Sequence, residues 1–194
     1  MLYNLLYPLA EQISLFNVFR YLTFRTGGAV ITALIVAFVA GPKVIRLLKA
    51  RQNGGQPIRE DGPESHLLTK KGTPTMGGFL ILLALTISTL LWADLANPFI
   101  WIVLGVTLGY GVIGFIDDNL KVTKRSSGGL SGRLKLVLQA AIALVATYLI
   151  SRSLPVGLDD AVAVPFLKTL LIDLGWGFVL FGMLVMVGSS NAVN

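Results

Sequence analysis

Five apolar runs, each bounded by polar or charged residues, dominate the chain. They lie at about Thr26–Leu48, Pro74–Trp92, Pro98–Ile116, Leu134–Ile150 and Leu170–Val187. Each is close to the roughly 20 mainly apolar residues that a helix needs to cross a bilayer's hydrocarbon core. The pattern predicts an all-α fold: a polytopic helical bundle in the membrane, with about five transmembrane helices in one domain over residues 1–194. The third run ends in an unusual way. No residue from Leu95 to Ile116 is charged, and the run then closes with two adjacent acids in "GFIDDNLK", Gly114 to Lys121.

Composition supports lipid as the solvent. Of 194 residues 54% are hydrophobic and 13% charged, and the mean hydropathy is +0.75. A soluble domain carries about 25% charged residues, so this chain holds roughly half the usual share. Cysteine is absent, which excludes disulfides and thiolate metal sites. The net charge of +6 does not call for nucleic acid, because in a membrane chain the position of the positives matters more than their sum.

That position is strongly biased. Lys43, Arg46, Lys49, Arg51, Arg59, Lys70 and Lys71 fall at the end of the first run and in the loop after it, and Lys121, Lys124, Arg125, Arg133 and Lys135 around the loop after the third. The opposite side holds only Arg20, Arg25, Arg152 and Lys168. The positive-inside rule puts the basic loops, residues 49–73 and 117–133, in the cytoplasm and the N-terminus in the periplasm. Residues 1–22 lack the basic start of a signal peptide, and Pro8 and Glu11 interrupt their apolar run. They read as an interfacial segment with Tyr3, Tyr7 and Tyr21 near headgroup level. With five spans, the closing "GSSNAVN", Gly188 to Asn194, shares the cytoplasmic face with the acid pair.

Three stretches can carry chemistry. Acids at a helix C-terminus oppose the macrodipole, so Asp117 and Asp118 are more than a convenient polar end. If the helix runs one turn further, Lys121 lies at i+4 and i+3 from them and can pair with either. In "DGPESHLLTKKGTPTMGG", Asp61 to Gly78, Thr73 and Pro74 read as the cap and first residue of the second helix. Gly77 and Gly78 there would admit a close helix neighbour. Lys70 and Lys71 stand just before that helix start and suit phosphate oxygens or, equally, the positive-inside bias. His66, the single histidine, reads as a solvated loop residue. Asn191 and Asn194 share a helix face, as a polar helix end or as amides lining a cavity. The loop "KVTKRSSGGLSGRLK" reads as a solvated connector. Asp173 reads as an acid reaching water at the outer end of the fifth span, and Trp92, Trp101 and Trp176 as belt anchors.

The combination "EDGPESHLLTKKGTPTMGG", "GYGVIGFIDDNLKV", "FNVFRYLTFR" and "GSSNAVN" resembles the bacterial phospho-N-acetylmuramoyl-pentapeptide transferases. These belong to the polyprenyl-phosphate N-acetylhexosamine-1-phosphate transferase superfamily. The likeness runs in order from about Phe16 to Asn194. It implies a multi-pass enzyme of the bacterial inner membrane with its active face in the cytoplasm. Such an enzyme moves phospho-MurNAc-pentapeptide from UDP-MurNAc-pentapeptide to undecaprenyl phosphate, giving lipid I and UMP for peptidoglycan biosynthesis, with Mg²⁺ as cofactor. Membrane lipids are its surroundings, nucleic acid is no partner, and a homodimer is compatible with it.

By similarity, Asp117 and Asp118 match the essential aspartate pair, as catalytic residues and as candidate metal ligands. Lys70 (or Lys71, since the spacing varies), Lys121, Asn191 and Asn194 match substrate-binding positions. Which aspartate is base and which binds metal stays open, as does a direct attack against a covalent aspartyl intermediate. Family sequence continues past "NAVN" into a further acidic segment and a histidine cluster, so the chain resembles the N-terminal half of the enzyme and is expected to be inactive alone. The competing readings are another polyprenyl-phosphate sugar-1-phosphate transferase, an ion-coupled transporter and a non-catalytic membrane fragment. Acids at a helix end rather than mid-span argue against transport.

Overall fold

In lipid, backbone N–H and C=O groups find no water, so an apolar run has to satisfy them within itself, and a helix does so. The computed structural model describes residues 1–52, 76–124, 128–164, 166–167 and 170–192. The described helices are α1 (Leu2–Leu6), α2 (Leu22–Arg51), α3 (Gly78–Trp92), α4 (Pro98–Lys124), α5 (Gly132–Ser153) and α6 (Gly177–Ala192). Two 3-10 stretches, Tyr7–Glu11 and Ser14–Arg20, connect α1 to α2. Helices α2, α4 and α5 are long and apolar enough to cross a membrane. Helices α3 and α6 are equally apolar but have 15 and 16 described residues.

The expected spans differ from these elements at two places, and one expectation falls outside them. Helix α4 does not stop at Ile116 but continues two turns past the acids to Lys124. The proposed cap at Thr73 and Pro74 lies outside the described residues. The fifth helix begins at Gly177, not Leu170. Leu171–Asp173 instead forms a strand, β2, antiparallel to β1 (Ala161–Ala163), with Val162 opposite Ile172. Asp173 therefore belongs to a hairpin rather than a helix end. Its Oδ1 accepts the Gly175 N–H at 2.8 Å, and Gly175 takes a positive φ of 49°. That local turn competes with helix over the same apolar residues and sets the later start.

By its contacts the chain divides into two compact units, Met1–Ile100 with Gly114–Leu130, and Trp101–Ile113 with Ser131–Asn194. In the first unit α2 packs on α3. Trp92, expected only as a belt anchor, is the pin of that contact. Its indole lies against Gly28, where an added Cβ would overlap the ring. The indole N–H donates to Thr32 Oγ at 2.8 Å, and Phe19 stacks on the ring at 6.0 Å. Gly77 and Gly78 have no close neighbour among the described residues; among those residues the tight glycine contact between α2 and α3 is at Gly28. At the N-terminal end Tyr3 and Tyr7 stack at 5.4 Å, and the Arg25 guanidinium covers Tyr3 at 4.3 Å.

In the second unit α5 packs on α6. Ala143, Ala146 and Thr147 are buried there. The Thr147 hydroxyl donates back to the Ala143 carbonyl at 2.8 Å, which leaves no unpaired polar group at the contact. Gly182 faces Thr147 so closely that a Cβ would stand 2.8 Å from its Oγ. Gly109 of α4 meets Ile142 in the same way, at 2.9 Å. Buried positions are few and mostly small, while Phe38, Val39, Val103, Val137 and Leu184 are exposed. A helix surface of that kind suits lipid tails.

The small-residue contact predicts a contrast within α6. Gly182→Ala should destabilise by about 1–3 kcal/mol through overpacking against Thr147. Gly188→Ala, with nothing within 4 Å, should be neutral or stabilising through helix propensity. Thermal unfolding of both variants in detergent micelles checks this.

Candidate active site

The last three turns of α4 carry Asp117, Asp118 and Lys121. Because the helix continues to Lys124, the spacing read from the sequence becomes geometry. Lys121 Nζ lies 2.7 Å from Asp117 Oδ2 and 3.5 Å from Asp118 Oδ1. Consecutive helical residues point about 100° apart, yet one ammonium reaches both carboxylates. Its position marks a point where the pair shares a single positive charge.

The two acids are not equivalent. Asp117 is buried, its side chain 9% exposed, whereas the Asp118 side chain keeps 30%. A carboxylate withdrawn from water is costly unless paired and hydrogen-bonded. Asp117 meets both needs: Lys121 on Oδ2, and the Leu130 backbone N–H on Oδ1 at 2.7 Å. The segment after α4 therefore returns to the helix. Gly129 approaches so closely that a Cβ would overlap Asp117 Oδ1 and lie 2.8 Å from its Cγ. The sequence reading took this segment for a solvated connector and missed both contacts. The glycine pair at 128–129 is the signal that could have found them, since a backbone that must come close to a side chain favours glycine.

A second polar group lies in the other unit. Asn191 of α6 donates from Nδ2 to Gln139 Oε1 of α5 at 2.8 Å, and to the Val187 carbonyl at 2.8 Å. Tyr110 of α4 donates its hydroxyl to the Gln139 carbonyl at 3.2 Å. Gln139 and Tyr110 were not anticipated. Each is one of a few polar residues in an apolar run, which is a weak signal by itself. Lys70, Lys71, His66 and Asn194 lie outside the described residues.

No cluster of three or more His, Cys, Asp or Glu side chains suited to a metal occurs among the described residues. Two carboxylates are enough for one class of ion. Mg²⁺ keeps several waters and is usually held by one or two carboxylates together with substrate phosphates. Asp117 and Asp118 fit that donor set, since both face one cation, the Lys121 ammonium.

Comparison with known proteins agrees with the sequence pattern. Residues 100–194 match the family model described as Glycosyl transferase family 4, and residues 70–82 match phospho-N-acetylmuramoyl-pentapeptide-transferase signature 1. The whole chain is similar to two curated proteins named phospho-N-acetylmuramoyl-pentapeptide-transferase. It is 62% identical to that of Granulibacter bethesdensis over 194 residues and 56% identical to that of Maricaulis maris over 199 residues. In each case it covers 54% of the relative, so the chain spans about half the length of the curated relatives it matches.

The ion pair predicts a contrast between two lysines one turn apart. Lys121→Met removes the 2.7 Å ion pair with Asp117 and should lower stability by about 1.5–3 kcal/mol. Lys124→Met, at an exposed position, should stay within about 0.5 kcal/mol of the parent. Denaturation in mixed detergent micelles measures both.

Proposed function

The chain belongs to the phospho-N-acetylmuramoyl-pentapeptide-transferase family, and from that premise we propose that it carries part of the catalytic apparatus of such an enzyme. The reaction transfers phospho-MurNAc-pentapeptide from UDP-MurNAc-pentapeptide to undecaprenyl phosphate at the cytoplasmic face of the bacterial inner membrane. The clustering of Lys and Arg around the first and third loops supports that face. The observation that carries the reading is Lys121 bridging Asp117 and Asp118 at the end of the long apolar α4. A nucleotide diphosphate is soluble and a polyprenyl phosphate is not, so the two can meet only where a transmembrane helix leaves the hydrocarbon.

In the transfer, an oxygen of the lipid phosphate forms a bond to the sugar-bearing phosphorus of the diphosphate. The bond from that phosphorus to the bridging oxygen breaks, and UMP leaves with the electron pair. Both substrates are anionic, so the residues' main task is to lower their repulsion and stabilise charge on the leaving phosphate. Lys121 serves this by turning its remaining ammonium donors toward phosphate oxygens while it stays paired with Asp117. Asp118, the more exposed acid, orients the attacking lipid phosphate or accepts a proton from it. Asp117 holds Lys121 in place. Mg²⁺, held by Asp117 and Asp118, would supply further neutralisation of the diphosphate. Lys70, Asn191 and Asn194 are assigned to substrate binding through the family pattern.

Asp117→Asn and Asp118→Asn, each made in a protein of the relatives' full length that contains this chain, should lower UMP release by at least about 10²–10³-fold. Both variants should still be extracted as folded protein. Near-parental turnover by both would remove the acid pair from the chemistry.

A further inference from the structure

We propose that Gly129 and the backbone amide of Leu130 are positioning residues for Asp117: together they fix the rotamer and depth of the carboxylate that α4 presents. This rests on the reading above that Asp117 takes part in the transfer. The Leu130 N–H donates to Oδ1 at 2.7 Å, a charge-assisted bond that is both short and directional. Lys121 holds Oδ2 from its own helix at 2.7 Å. The carboxylate is thus gripped from two sides by groups on different segments, which leaves its plane little freedom to turn.

Gly129 is what lets the second grip form. A Cβ there would overlap Asp117 Oδ1, stand 2.8 Å from its Cγ and 2.9 Å from the Asp117 carbonyl oxygen. The last of these is helix backbone and cannot swing aside as a side-chain end can. The backbone of Gly129 does not adopt a left-handed φ, so glycine is required here for space and not for conformation. Gly132, three residues further on, has open space where a Cβ would go. One added methyl would push the segment off the helix and withdraw the Leu130 N–H with it. Asp117 would keep Lys121 but lose its orientation.

The test uses a protein of the relatives' full length that contains this chain, assayed for UMP release from UDP-MurNAc-pentapeptide. Gly129→Ala should lower kcat by on the order of 10–10²-fold, the scale expected when a reacting group is misplaced by about 1 Å. KM for the nucleotide should stay near its parental value, while the thermal midpoint should fall with the loss of the Leu130–Asp117 hydrogen bond. Gly132→Ala, with open space around it, should keep kcat within about twofold of the parent. A parental kcat for Gly129→Ala overturns the proposal, as does an equal fall in Gly132→Ala or a loss carried by KM.

If Gly129→Ala does not fold, replacing the amide at position 130 by an ester removes the donor without adding volume. A severalfold fall in kcat is expected, and a parental value overturns the proposal. Hydrogen exchange at the Leu130 amide separates this inference from the functional reading, because it needs no turnover. Protection in the parent, lost in Gly129→Ala, is expected; an unprotected amide in the parent overturns the grip even if UMP is released. A parent that protects the amide but releases no UMP refutes the transferase reading instead.

Discussion

A carboxylate shielded from water has to be met by positive charge and by hydrogen-bond donors, and Asp117 is where this chain satisfies that demand. The consequences run outward along the chain. The helix has to continue past the acids so that Lys121 can come within 2.7 Å. The following segment has to return so that the Leu130 amide can reach the other oxygen. Glycine has to stand at 129 so that the return is sterically open. Each requirement follows from the cost of leaving a buried charge unpaired, about 3–5 kcal/mol, which is enough to offset the ordering of a few loop residues at about 1–2 kcal/mol each. Helix end, loop path and residue choice therefore form one problem with one solution.

A different constraint governs the helix contacts. In lipid there is no hydrophobic drive to bring helices together, so packing has to come from close approach and from satisfied polar groups. Both units use the same device. A glycine meets a large or branched partner on the neighbouring helix, Gly28 with Trp92 in one unit and Gly182 with Thr147 in the other. A threonine hydroxyl beside each contact is already bonded within its own helix, Thr32 to the Gly28 carbonyl and Thr147 to the Ala143 carbonyl. The polar side chains can then sit at the contact without a desolvation penalty left over. Much of the remaining apolar surface stays exposed, as expected where the solvent is itself apolar.

The sequence made the helical class legible because apolar runs of about 20 residues have few other uses. It also exposed the acid pair and its lysine, since i+3 and i+4 spacing has geometric meaning as soon as a helix continues. What it hid were contacts made by backbone. The Leu130 amide is invisible in a string of side chains, and Gly129 reads there as flexibility instead of proximity. The fifth helix was drawn too long because Leu170–Leu174 is as apolar as the helix it precedes, while Asp173 and Gly175 start a turn. Trp92 was given to the membrane surface because its partner Gly28 lies 64 positions away, a separation that hydropathy cannot bridge. Gln139 escaped notice for the same reason, since its relation to Asn191 exists only once α5 and α6 are side by side.

The meeting of Gly182 with Thr147 has one more outcome. Phe181 and Met183 flank that glycine, so turning α6 by a single residue, about 100°, would drive a bulky group into space that admits only hydrogen. Sliding and tilting stay open to the helix, but rolling about its long axis does not. The azimuth of every α6 residue against α5, Asn191 included, is thereby indexed by one atom that is missing.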